Sequence, residues 1–487
     1  MSFISYEFLL CLLPLTALFV ALARKRNLQN AVLAVASMLF YAGFGAAGLT
    51  ILLLCTAVTY ACGRAGHELT ARGDAAAGKR VYAAGLALDF LPLLLFKYGD
   101  FAAENANRVL GRLGLSLPLP GWLLPVGLSF FVFQSATYLF DLYRGKIEPE
   151  KNFINYLLFV AFFPTVTSGP IQRASALLPQ IAGRDRVSLE RVQRAAVLFA
   201  WGAFVKLVLA DRLNVFTDAV FQMYARYSGL VLLAGAVAYS VQIYADFLAY
   251  SAMAIAVASM FGFDLPENFR QPYLATDIAS FWRRWHISLT SWLTDYIYIP
   301  LGGSRRGALR RYVNILIVFL VSGLWHGAAW RFVIWGALHA LFQIAGHISR
   351  PAREALCARL RIDRGTRAYR CWQRACVFAL VALAWIFFRI GSTHAAIDYI
   401  ARMAAFNPWV LTDGTFAALG LTAGDWGAVL VSGAVLLCVS LCREKGVRLA
   451  GGMPVRLLVF LLLLCATMLF GRYGATYDAS AFIYASF

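Results

Sequence analysis

The sequence predicts an all-α, polytopic membrane protein of about 11–13 transmembrane or re-entrant helices, and three observations carry that prediction. Of its 487 residues, 61% are hydrophobic and only 14% charged, against about 45–50% and about 25% in an ordinary soluble domain. Apolar runs long enough to cross a bilayer, about 17–25 residues, recur from one end to the other. The basic residues fall mostly in short loops between those runs: 44 Lys and Arg against 25 Asp and Glu leave a net charge of +19. That excess reads as loops retained on the cytoplasmic side. Nucleic-acid binding would instead need the arginines gathered on a folded polar surface. The nine cysteines form no C-x-x-C pair, so neither a disulfide framework nor a zinc site is indicated.

The first run, residues 4–23, is preceded by Tyr6 and Glu7 at its start and followed by Arg24-Lys25-Arg26. A cleavable signal has the opposite order, so the run is a retained span with its start outside, which puts the N-terminus in the periplasm. Residues 28–45 and 46–63 form the next pair, closed by the basic stretch Arg64 to Arg80. Further candidates are 81–98, 122–142, 153–169, 195–212 and 230–262. After the pairs Arg305-Arg306 and Arg310-Arg311 come 312–327 and 328–348, then the basic run Arg350 to Arg374. Residues 371–390 and 425–442 lead to Arg443 through Arg448, and 454–472 is last. Pairs of spans fit between the first two basic clusters, between the 305–311 and 350–374 clusters, and between the latter and 443–448, as the positive-inside rule requires; the middle of the chain is less regular. Between 99 and 300, Pro118, Pro120, Pro125, Pro164, Pro170 and Pro179 break the apolar runs. Broken helices at membrane depth occur only where they are buried in protein or line a cavity, so the centre is expected to enclose something. No internal repeat is evident, and the whole chain, 1–487, reads as one membrane-embedded domain.

Two of the six histidines stand in unusual company. His286 lies in Phe281-Trp-Arg-Arg-Trp-His286-Ile-Ser-Leu-Thr-Ser-Trp292-Leu-Thr-Asp295. As a continuous helix this segment would align Trp282, Trp285, Ser288, Leu289 and Trp292 on one stripe. An interfacial helix with its tryptophans and arginines at headgroup level is an equally natural reading. His326 sits between the apolar stretches Ile315 to Leu324 and Phe332 to Leu341, with basic clusters at both outer ends. Two crossings then place it far from the cytoplasmic surface, where an ionisable side chain is a functional-site hypothesis by default. The alternative is a neutral imidazole hydrogen-bonded between helices. A buried imidazole, with an ordinary pKa of about 6.5, stays neutral at pH 7 and can accept a hydroxyl proton. No H-E-x-x-H and no carboxylate three or four residues from His326 is present for a metal. Nor is there a G-x-S-x-G for a serine hydrolase.

Three segments point to a family: Phe281-Trp-Arg-Arg-Trp-His286-Ile-Ser-Leu, Tyr296-Ile-Tyr-Ile-Pro-Leu-Gly-Gly303 and Gly323-Leu-Trp-His326-Gly-Ala-Ala-Trp330. Together they resemble the signature region of the membrane-bound O-acyltransferases, in the bacterial branch similar to the alginate O-acetyltransferase membrane subunit. Leu124-Pro-Val-Gly-Leu-Ser-Phe-Phe131, Phe162-Phe-Pro164, Gly169-Pro-Ile171, Gln242-Ile-Tyr-Ala-Asp246-Phe and Phe261-Gly-Phe-Asp-Leu-Pro-Glu-Asn-Phe269 extend the likeness over most of residues 120–340.

The resemblance implies a multi-helix fold around an internal passage in a bacterial inner membrane, and acyl transfer to a hydroxyl. It makes His326 and His286 the catalytic candidates, the first as base and the second in support. No cofactor is held permanently. Acetyl-CoA or an acyl-phosphopantetheine carrier would be the donor, approaching from the cytoplasm, and acetyl would be passed toward an exported polysaccharide or cell-wall glycan. A periplasmic hydrolase-like acetyltransferase or a small acceptor protein would be the partner, alongside membrane lipids. Candidate oxyanion donors are Trp325, Trp330 and Asn314. Asp246 and Asp295 would orient an imidazole or pair with Arg283 or Arg284. Arg305, Arg306, Arg310, Arg311 and the Arg350 to Arg374 run would attract donor phosphates, although topology and anionic lipid alone explain such loops. The tail from Tyr473 to Phe487 is a candidate partner contact. Two other functions fit the same features: D-alanyl transfer toward teichoic acid, and a proton-coupled transporter or flippase with His326 as relay.

Overall fold

The computed structural model describes residues 2–184, 186–227, 229–405, 407–416, 418–447 and 451–473, and among them there are helices and turns but no strand. The C-terminal tail beyond 473, a candidate partner contact, lies outside the described residues. Among the described residues eight helices are long and apolar enough to cross a membrane, nine if Trp330–Ile348 and Arg350–Arg359, which meet at 50°, form one broken span. The chain is a multi-pass membrane protein. Its described residues gather into two compact units, one of residues 2–199 with Tyr250–Pro266, the other of Ala200–Ala249 with residues 267–473.

The first unit contains α1 (Leu13–Leu22), α2 (Arg26–Ala42), α3 (Ala46–Ala71), α4 (Ala75–Leu110), α5 (Leu128–Tyr143), α6 (Phe153–Ala161) and α7 (Ala174–Ala182). Helix α4 starts where the Asp74 carboxylate accepts from the Ala77 N–H at 2.8 Å, which satisfies one of the donors a helix start leaves open. Its 36 residues span about 54 Å at 1.5 Å each, well beyond the hydrocarbon thickness. Helix α5 is different, because nearly every side chain along it is buried. Its polar residues hold the irregular segment 162–173. Thr137 Oγ1 accepts from Ala174 N at 3.0 Å, Gln134 Oε1 accepts from Gln172 N at 3.4 Å, and Ser175 Oγ donates to Asp141 at 2.9 Å. So the run 153–169 is not a full span. It is a nine-residue helix followed by backbone that Pro164 and Pro170 keep out of helix, packed in protein as membrane-depth irregularity requires.

Helices α8 (Leu189–Phe204) and α10 (Gly229–Met260) contribute residues to both units. The second unit adds α9 (Asp211–Gln222), α11 (Ile278–Trp282), α12 (Ile287–Leu293), α13 (Ala308–His326), α14 (Trp330–Ile348), α15 (Arg350–Arg359), α16 (Arg367–Arg389), α17 (Thr393–Met403), α18 (Ala423–Glu444) and α19 (Met453–Phe470). The segment 281–303 is not one helix: it breaks at Arg283–His286 and ends in a π-helical turn, Thr294–Tyr298. Trp282, Trp285 and Trp292 are 6%, 1% and 3% exposed, so they pack within the protein and do not form a headgroup belt. An apolar cavity of about 560 Å³ in this unit is lined by Leu213, Val237, Tyr244, Tyr273, Trp426 and Leu437 among others, and by no histidine.

Candidate active site

Helices α13 and α14 form a hairpin whose backbones touch. A Cβ on Gly323 would lie 2.3 Å from the Phe332 carbonyl oxygen, and one on Gly336 would lie 2.2 Å from that of Phe319. Only glycine permits this approach, the device membrane helices use to pack without a hydrophobic driving force. His326 is the last residue of α13 and is 3% exposed, because the chain turns extended at Gly327. The hairpin then brings Trp335 and His339 of α14 alongside.

The His326 imidazole is enclosed by aromatic rings. Trp325 lies at 4.9 Å between centroids, Trp335 at 5.0 Å and Phe388 of α16 at 5.1 Å, each close to perpendicular. The neighbours are edge-to-face aromatics of the kind that give buried clusters a fixed geometry. His286 reaches the same cluster from the α11–α12 turn: its ring meets Phe247 at 4.6 Å and Trp325 at 5.9 Å. Trp325 therefore touches both histidines.

His286 adopts a left-handed backbone, φ 44 and ψ 54, a conformation that costs a non-glycine residue free energy and persists only where the surroundings impose it. Here Asn268 imposes it. Its carbonyl accepts from Ile287 N at 2.9 Å, and its side-chain oxygen accepts from Ser288 N at 3.2 Å and Ser288 Oγ at 2.7 Å. Arg270 N also donates to the Arg284 carbonyl at 2.9 Å. The loop 268–270 thus caps α12 in place of a local side chain and aims His286 inward.

The remaining predicted residues scatter. Asn314 lies on α13 twelve residues before His326, about 18 Å away along the axis, and its Nδ2 donates to the Gly303 carbonyl at 2.9 Å. It pins the 301–303 turn and is too far to hold an oxyanion formed at His326. Trp330 opens α14 and is 49% exposed, and Asp295 is half-buried in the π-helical turn. Asp246 pairs with Lys206 Nζ at 2.8 Å, which also reaches Asp211 at 2.8 Å. Arg284, offered as its partner, pairs instead with Glu444 at 2.8 Å. Among the candidate donor-binding arginines, Arg350 and Arg364 share Glu354 at 3.0 Å each, and these hydrogen bonds hold the Glu354 carboxyl below its ordinary pKa.

Two buried ionisable residues not singled out in sequence lie in the same unit. His339, 0% exposed, accepts from Trp282 Nε1 at 3.3 Å and meets Trp335 at 4.9 Å. Lys206 is 2% exposed inside the apolar run Val205–Ala210. Both carry the signal that marks His326, an ionisable group within a predicted span.

The family model described as MBOAT, membrane-bound O-acyltransferase family, matches residues 147–373, which includes both catalytic candidates. The chain is 35% identical over 414 residues to the "Probable alginate O-acetylase AlgI" of Pseudomonas putida, covering 85% of this chain and 82% of that one. It is 32% identical over 409 residues to the "Peptidoglycan O-acetyltransferase" of Helicobacter pylori, covering 77% and 73%. With the "Teichoic acid D-alanyltransferase" of Bacillus subtilis it shares 24% over 275 residues, covering 54% and 66%.

Proposed function

The chain belongs to the membrane-bound O-acyltransferase family, and on that footing we propose that it moves an acetyl group from a cytoplasmic thioester to a hydroxyl, toward O-acetylation of an exported polysaccharide, with His326 as general base. The protein is an O-acyltransferase, which sets the transporter reading aside. The D-alanyl reading is the weaker one, since relatives so named match about half of the chain while the O-acetylase match extends over 85%. The observation that carries the role of His326 is its enclosure by Trp325, Trp335 and Phe388 at the end of α13, with His286 also against Trp325.

In this reading the acceptor oxygen attacks the thioester carbon as its proton passes to an imidazole nitrogen of His326. The tetrahedral oxyanion then collapses, the C–S bond breaks, and the imidazolium returns the proton to the departing thiolate. A thiolate leaves far more readily than an alkoxide, so the intermediate collapses toward the ester, and positioning and proton removal are the chief demands on the protein. The Trp335 ring lies against the imidazole, centroids 5.0 Å apart, and its buried indole N–H has no hydrogen-bond partner among the described residues. A donor in that state is suited to an oxyanion, and Trp335 takes that role in place of Asn314. His286 supports Trp325.

The setting is a bacterial inner membrane with the N-terminus periplasmic, and the acceptor is presented by a periplasmic hydrolase-like partner or a small acceptor protein. The test is made in cells: ester-linked acetate on the exported polymer is measured by NMR in strains carrying the wild-type chain or H326A at equal membrane levels. Wild-type acetylation with none above background in H326A is expected. Equal acetylation in the two strains removes this function from His326, and ester-linked D-alanine in place of acetate favours the second reading.

A further inference from the structure

Outside the aromatic cluster, the first unit gathers two arginines that sequence separates by 158 positions. Arg26 is the first residue of α2, and Arg184 lies just past α7. The Arg26 guanidinium donates to the Arg184 carbonyl and, through Nη1, to Gln29 Oε1 at 3.4 Å. Arg184 Nη2 reaches that same Gln29 oxygen at 3.5 Å, while its Nη1 donates to Asn30 Oδ1 at 2.7 Å. Two cations therefore converge on one neutral amide oxygen. Arg184 is 7% exposed, and its guanidinium lies over the Phe263 ring at 4.6 Å.

Among the described residues neither guanidinium has a carboxylate partner. Asp264, beside Phe263 in the chain, is taken by Arg191 at 2.8 Å. Burial, with Arg26 alongside, brings the Arg184 pKa down to about 10, which still leaves it a cation at pH 7. Like charges held this close repel unless an anion sits between them. Arg24 and Lys25 precede Arg26 directly, and the open N–H groups at the α2 start add positive potential. In contrast, Arg350 and Arg364 already share Glu354.

We propose that Arg26 and Arg184 form a binding site for a phosphate group. Guanidinium offers paired donors that match phosphate oxygens, and the Phe263 face with Asn30 fixes the plane of Arg184. A phosphate there neutralises the pair and ties the start of α2 to the segment after α7. Its source is either an anionic lipid headgroup or the phosphates of the thioester donor. Only the second source rests on the acyl-transfer reading.

The test uses the full chain in phosphatidylcholine nanodiscs. One arm titrates coenzyme A by calorimetry. The other adds phosphatidylglycerol to the discs and counts retained lipid by native mass spectrometry. Arg26→Gln, at a half-buried position, is the variant expected to fold, with Arg184→Gln as the stronger change and Arg194→Gln, an exposed arginine already paired with Glu190 at 2.6 Å, as control. A tenfold or greater weakening of coenzyme A by R26Q assigns the site to donor phosphate. Loss of retained phosphatidylglycerol by R26Q, with coenzyme A unaffected, assigns it to lipid. If R26Q, folded, matches wild type with both probes, the site does not exist. H326A keeps whichever binding the wild type shows, so failure of the phosphate site and failure of the base are told apart.

Discussion

At the scale of single residues, the account makes distinct claims about His286, Lys206 and Trp335. Trp335→Phe keeps an aromatic ring against His326 but removes the indole N–H together with part of the bicyclic ring. It is expected to lower kcat by about 10²–10³ with KM little changed, as loss of one oxyanion donor does; an equal fall in affinity, measured in the same titration, would reassign the tryptophan to binding. Lys206→Met removes the cation that Asp211 and Asp246 share. Breaking a buried ion pair costs about 3–5 kcal/mol, which thermal unfolding in detergent should register as a lowered Tm. A second change, Asp246→Asn, should recover part of the loss. His326 was legible in sequence because an ionisable group in an apolar setting is expensive, and His286 because of the Trp- and Arg-rich segment around it. Lys206 and His339 carried that same signal without neighbouring motifs to draw attention to it. What no local pattern could disclose is the set of rings around His326, since Phe388 arrives from a helix 62 positions later.

At the scale of elements, the hairpin of α13 and α14 is where sequence and structure agree closely. Spans read as 312–327 and 328–348 are helices Ala308–His326 and Trp330–Ile348, because two apolar runs joined by Gly327 leave little choice of fold. Gly323→Ala would drive a methyl into the Phe332 carbonyl. Overpacking of this kind costs about 1–3 kcal/mol, and the displaced hairpin is expected to cut acyl transfer even where the protein still folds. Gly346→Ala, which meets nothing within 4 Å, should leave both Tm and rate near wild type. The segment 281–303 shows the opposite case. Its spacing suits one amphipathic helix, yet the helix stops before His286 because Asn268, a residue from another loop, supplies the hydrogen bonds that a left-handed turn needs. Periodicity reports which residues are buried, and Trp282, Trp285 and Trp292 are buried. It cannot report a break that a tertiary contact creates. For the same reason 153–169 reads as a span in sequence, although the polar face of α5 holds its second half out of helix.

For the whole molecule, composition alone determined the solvent, and the order of basic clusters proposed the topology. Single cysteines placed at positions 25, 72 and 306 of a cysteine-free chain should react with a membrane-impermeant maleimide only after the inner membrane is opened, and one placed at position 328 should not become reactive from the cytoplasmic side. Labelling of position 25 in intact spheroplasts would invert the proposed orientation and with it the side from which the donor comes. The chemistry assigned to His326 is tested most directly by the rate of acetyl transfer from labelled acetyl-CoA, measured with purified wild type and H326A in nanodiscs at matched folding and Tm. Removal of a general base predicts a fall in kcat of about 10²–10⁴ with donor binding unchanged. A kcat for H326A within about threefold of wild type would contradict the account, since a base in the transition state cannot be dispensable.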